Sequence, residues 1–197
     1  MSAPEPIHPL AAVATPGIHG AQGVPQVHVS LPRREIVQVM GRRGRLDALT
    51  QAIQGAFGVA LPGPGETSTG ADATAIWIQP AAWLIMAPRG TEAALAARAA
   101  VAFAGIAAVE DQSHGRTVIA VSGPAACAVL ARGCRIDLHP RAFGPGRAAM
   151  TQIAHVSCLV HQVHASPSFE LTVFSTLAEH VFHWLLEAGA EAGVRIG

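Results

Sequence analysis

From Arg34 onward, short runs with the pattern of strands and longer runs with the spacing of helices follow one another in an order that few architectures accept. The run "REIVQVM" is strand-like; Leu46, Leu49, Ile53 and Phe57 then recur at helical intervals before Gly58, which suits the left-handed end of a helix. After the loop "LPGPGETSTGAD" come two strands, "AIWIQ" and "WLIMA", split by Pro80. Thr91 is placed to cap the next helix, whose inner face is Leu95, Ala99, Ala102 and Phe103 and whose end is Gly105. The second half repeats this grammar. "IAAVEDQ" and "RTVIAVS" are strands, and Gly123 with Pro124 at the first helical position opens a short helix through Cys127 and Leu130 to Gly133. "AAMTQIAHV", "CLVHQVH" and "SFELTVF" are further strands. A Thr176–Glu179 capping box starts the last helix, which lines up Leu177, Val181, Trp184, Leu185 and Ala188. Such an order is α+β: mostly antiparallel sheets, helices on one side of each, and two ferredoxin-like halves.

Residues 1–26 stand apart, with Pro4, Pro6, Pro9, Pro16 and Pro25 among Gly17, Gly20 and Gly23 and no periodic apolar face. They are expected to form a flexible tail, and residues 27–197 a single domain. A chain of 197 residues that is 50% hydrophobic and 13% charged can bury one large core. Thirteen acidic residues balance thirteen basic ones and no basic stripe exists, so nucleic acid is not an expected partner. All the basic residues are arginine. Without lysine there is no Schiff-base nucleophile, no pyridoxal anchor and no P-loop lysine, and no GxGxxG fingerprint follows a strand. The longest apolar run, Ala99 to Val109, is far short of the ~20 residues that span a bilayer. "MSAPEPIHPL" lacks the features of a signal peptide, and three cysteines without a CxxC pair suggest free thiols, so a soluble cytoplasmic protein is expected.

Two constellations have reactive atom types. In "HVSCLVHQVH", His155, Cys158, His161 and His164 recur every three residues; on a strand that interval sends alternate members to opposite faces, so a zinc site is rejected in favour of half-exposed sheet histidines. In "GCRIDLHPRAF", Cys134, Asp137 and His139 have the types of a hydrolytic triad but lie within one six-residue run, whereas such groups converge from distant segments. Pro140 keeps its predecessor out of the helical region. The stretch is therefore expected to be an ordered, exposed loop with Leu138 and Phe143 turned inward and Arg135 and Arg141 offered to a partner's carboxylates or carbonyls. "EDQSHGR", Glu110 to Arg116, has the character of a hairpin corner in which Gly115 supplies a positive φ and Ser113 bonds local backbone, leaving His114 and Arg116 for docking.

The runs "WLIMAP", "EDQSHGRTVIAVSGPAACAVLARGCRIDLHPRAF" and "FELTVFSTLAEHVFHWLLEAG" closely resemble the gamma subunit of bacterial heterotetrameric sarcosine oxidase, over Arg34 to Gly193. The resemblance implies a fold like the folate-binding domain of the aminomethyltransferases. It implies membership of a complex that demethylates sarcosine to glycine, hydrogen peroxide and 5,10-methylenetetrahydrofolate, in which FAD, FMN, NAD, tetrahydrofolate and zinc sit on other subunits. Partners would be alpha, beta and delta, with direct packing on the folate domain of alpha and an interface that includes Gln112, His114, Arg116, Arg135, Asp137, His139 and Arg141. Aminomethyltransferases place a catalytic aspartate before the strand equivalent to "AIWIQ"; here only Asp72 stands nearby, so no catalytic, cofactor-binding or metal-binding residue is expected on this chain. A related complex acting on another N-methyl amino acid such as N-methylglutamate, or a stand-alone folate-binding protein using Asp72 or Asp111, are the alternatives.

Overall fold

Two sheets pack face to face, and each carries two helices on its outer side. The structure is a computed structural model that describes residues 7–90 and 94–197. Its first half runs β3 (Arg34–Gly41), α1 (Leu46–Phe57), β4 (Thr67–Thr69), β5 (Thr74–Gln79), β6 (Ala82–Pro88), α2 (Leu95–Ala102) and β7 (Ala107–Asp111). These strands form a five-stranded antiparallel sheet in the order β4-β5-β6-β3-β7. Without β4 that is the ferredoxin-like order; β4 is an added edge inside the expected loop. The second half contains β8 (Arg116–Ser122), α3 (Ala126–Ala131), β9 (Ala148–Ile153), β10 (Val156–His164), β11 (Ser168–Phe174), α4 (Ala178–Gly189) and β12 (Val194–Ile196). With β1 (Gly17–His19) and β2 (Val27–Ser30) they make a seven-stranded sheet in the order β1-β12-β2-β8-β11-β10-β9. Here β2 takes the place beside β8 that a ferredoxin-like half gives to its last strand, and β12 pairs parallel to β2 one position further out. The expected α+β fold of two ferredoxin-like halves is thus observed, with this insertion in the second half.

Alternation along the strands sets the layers. On β3, Ile36 faces the other sheet while Val37 and Val39 face α1 and α2; on β10, Leu159 faces inward while Cys158 and Val160 lie under α3 and α4. The inner layer is Ile36, Ile76, Leu84, Met86, Val118, Ala148 and Leu159. Strands covered on both faces read as continuous apolar runs, which is why "WLIMA" shows no alternation.

Several helix ends differ from expectation. Gly58 does close α1, at φ 64°, with its N–H on the Gln54 carbonyl. Thr91 lies outside the described residues; the Leu95 N–H at the start of α2 meets the Glu35 carboxylate, a cap supplied by a neighbouring strand. Pro124 lies in the turn before α3, which starts at Ala126. The Thr176–Glu179 box does not form, because Ser175–Leu177 is a 3-10 turn tied to the β7–β8 corner: the Ser175 N–H donates to the Gly115 carbonyl and its hydroxyl to the His114 carbonyl. The buried stripe of α4 is accordingly Ala178, Val181, Phe182, Leu185 and Gly189, with Leu177 exposed and Trp184 half-buried.

The tail expected over residues 1–26 is packed in its described part. Leu10 is fully buried in the core of the second half, β1 pairs antiparallel with β12, and the Ala21 N–H donates to the Ala190 carbonyl. No side chain would fit at Gly20, where a Cβ would come 2.3 Å from the Ala190 oxygen. Among the described residues no helix is long and apolar enough to cross a membrane.

Candidate interface loops and the clefts beside them

The β7–β8 corner is fixed by its own polar groups. The Gln112 N–H donates to the Ile36 carbonyl at 2.8 Å and the Gln112 carbonyl accepts the Arg116 N–H at 2.9 Å. Asp111 accepts the Ser113 N–H, and the Ser113 hydroxyl oxygen accepts the Ile36 N–H at 3.0 Å. Gly115 does not adopt a positive φ; what it provides is space, since a Cβ there would meet Gln112 Oε1 at 3.1 Å. His114 is left exposed. The Arg116 guanidinium lies 4.6 Å over the Phe174 ring, and its Nε is buried with no acceptor among the described residues.

The loop after α3 is organised in the same way. Cys134 bridges to Ile153 and the Arg135 N–H reaches the Gln152 carbonyl. Asp137 accepts the His139 N–H at 2.8 Å, His139 Nδ1 accepts the Arg141 N–H at 3.2 Å, and the His139 carbonyl accepts the N–H groups of Ala142 and Phe143. Leu138 and Phe143 point inward and are buried, as expected, while Arg135, Asp137, His139 and Arg141 are exposed. The Cys134, Asp137 and His139 side chains therefore act locally. His139 Nδ1 is occupied as an acceptor, and burial pushes the Cys134 thiol up, away from a reactive thiolate.

Six of the seven residues fall into two patches, and Arg135 is tied separately to Gln152 of β9. Arg116 pairs with Phe174 at one end of the β8–β11 ladder and Ser122 with Ser168 at the other; α3 follows Ser122, and its Cys127 thiol donates to the Leu138 carbonyl. Asp137 to Arg141 thus lie toward the far end of β8 from Gln112, His114 and Arg116.

"HVSCLVHQVH" also departs from expectation. His155 leaves the strand: Ala154 and His155 form a two-residue turn between β9 and β10, both at positive φ. Cys158 is fully buried, and His161 is buried at 6% exposure, not half-exposed. Among the described residues these four do not converge. His161 lies on a cleft of about 420 Å³ between β4–β5 and β10–β11, with Arg34, Thr67, Asp72, His164 and Glu170. Its Nε2 is 3.5 Å from the Thr67 hydroxyl and its Nδ1 has no partner among the described residues. Burial pushes its pKa below the usual histidine value, Glu170 opposing and Arg34 and His164 adding to the effect. Asp72 is exposed on the rim, and Glu170 is tied to Arg34. That ion pair joins β3 of one sheet to β11 of the other, and nothing in either local sequence announces it.

Comparison with known proteins fits this architecture. The model of the family described as "Sarcosine oxidase, gamma subunit family" matches residues 44–191. The sarcosine oxidase subunit gamma of an Arthrobacter species is 40% identical over 144 residues, covering 71% of this chain and 69% of that protein. That of Corynebacterium sp. (strain P-1) is 36% identical over 158 residues, covering 79% and 74%. A chain of the heterotetrameric sarcosine oxidase of Corynebacterium sp. U-96, solved with pyrrole 2-carboxylate, superposes with a TM-score of 0.82 at 27% identity over 95% of this chain and 96% of that one. The glycine cleavage system aminomethyltransferase T of Bartonella henselae shares the fold at a TM-score of 0.65 and 15% identity, covering 87% of this chain and 48% of that one. The chain belongs to the sarcosine oxidase gamma subunit family.

Proposed function

We propose that this chain is the non-catalytic gamma subunit of a cytoplasmic heterotetrameric sarcosine oxidase, packed on the folate domain of the alpha subunit beside beta and delta. The complex would convert sarcosine to glycine, hydrogen peroxide and 5,10-methylenetetrahydrofolate, with FAD, FMN, NAD, tetrahydrofolate and zinc on the other chains. The observation that carries the reading is the Arg135–Arg141 loop. Its reactive-looking groups are occupied in holding the backbone, while Arg135, His139 and Arg141 stay exposed on that ordered backbone. Loops ordered before binding lose little entropy on docking, and arginine is favoured at interfaces. End-to-end correspondence with a chain of a heterotetrameric enzyme supports the same reading.

Co-expression with the other three subunits, followed by size exclusion and a flavin spectrum, tests it. Gamma is expected to elute with a flavin-bearing complex and to be colourless alone. Charge reversal in Arg141→Glu, or truncation in His139→Ala, is expected to weaken association by about 2 kcal/mol, roughly thirtyfold. Unchanged recovery of the complex with both substitutions present removes this loop from the interface.

A further inference from the structure

A second cavity lies where the β7–β8 corner meets the start of β3, the end of β6 and residues 7–9. Its volume of about 100 Å³ holds a few waters or one compact polar group, well short of the several hundred Å³ that enclose a cofactor. The lining is cationic: Arg33, Arg34, Arg89, Arg116, His8 and His114, with no carboxylate among the described lining residues.

No carboxylate among the described residues is paired with Arg116 or Arg89. Arg34 is paired with Glu170. Asp111, on the same corner, accepts the Ser113 N–H. Arg116 stacks on the Phe174 ring and has no carboxylate partner among the described residues; burial pushes its pKa down, and Glu110 opposes this in part. Arg89 is exposed and held in place by its backbone, whose N–H donates to the Arg33 carbonyl. A partly desolvated guanidinium with a sealed, unpartnered Nε favours an acceptor in the cavity, and an anion is a stronger one than water. The elements that hold these side chains come from four separate stretches of chain, so the arrangement is built by the fold and does not result from one charged run.

We propose that this cavity is a binding site for one small oxyanion, a carboxylate or phosphate group, gripped by Arg116 and Arg89 with His114 at its mouth. Fork-shaped guanidinium donors match the paired oxygens of such a group. The oxyanion comes either from solution or from an acidic side chain of a sister subunit.

Thermal unfolding of the full chain in inorganic phosphate, against sodium chloride at equal ionic strength, tests the site. Phosphate at ten times its dissociation constant is expected to raise Tm by about 3–5 °C, and Arg116→Gln and the exposed Arg89→Gln each to remove most of that rise. Equal Tm in the two salts, or a full response in both variants, overturns the proposal. Repeating the measurement on the co-expressed complex, an arm that rests on the subunit reading, distinguishes the sources. A response lost on assembly assigns the oxyanion to a sister chain's carboxylate, and a response retained assigns it to a free ion. Failure to assemble counts against the subunit reading and leaves the result on the isolated chain in force.

Discussion

His161 is buried in a form that acid must disturb. Its folded pKa lies below the ordinary 6.5, chiefly through burial, so the unfolded chain binds the proton more tightly than the folded one. Its contribution to stability is complete above pH 6.5 and is lost as the pH falls from there through the folded value. Tm is therefore expected to decline over that window, and His161→Gln to flatten the decline; an unchanged acid limb would show that another group controls it. The sequence could not identify this residue as buried, because which face of β10 is covered depends on a second sheet formed by residues 34–111. Leu138 and Phe143 were legible for the opposite reason: two large apolar residues in a polar loop have only one direction to turn.

At the scale of elements, local signals succeeded where chemistry forces a conformation and failed where tertiary contacts choose it. Gly58 ends α1 as a left-handed residue should. Thr176 and Glu179 have the right types for a cap, yet Ser175 anchors that turn to the neighbouring corner and the helix begins later. The Ala154–His155 turn has the sequence pattern of continuous strand because it has neither glycine nor asparagine, and the chain contains no asparagine at all. Both residues sit at positive φ, 50° and 66°, where side chains with a Cβ are strained. Replacing the pair by Asn-Gly is expected to stabilise the protein by about 1 kcal/mol, seen as a rise of about 3 °C in Tm. A fall in Tm would mean that the His155 side chain has a compensating contact.

For the whole molecule, the inner layer between the sheets decides whether the two halves behave as one. Leu159 is fully buried there, and Leu159→Ala is expected to cost about 3 kcal/mol in denaturant unfolding while keeping a single transition. Two separated transitions would show that the halves are only loosely joined. The α+β class and the paired halves were legible from the order of periodic runs, and the family from "QSHGR" and "GCRIDLHPRAF". That Gln112 to Arg116 and Asp137 to Arg141 lie toward opposite ends of β8 was not, since it depends on ladder register. Nor was the placement of β2 between β8 and β12, whose residues are remote in sequence. This last feature bears on how the chain folds. The five-stranded sheet draws every strand from residues 34–111 and can zip up from nearby partners, but the slot beside β8 stays empty until residues 27–30 return to fill it and receive β12 on their far side. While residues 27–30 are undocked the flank of β8 is bare backbone, the place where a chain would pair with a neighbouring molecule instead of with itself.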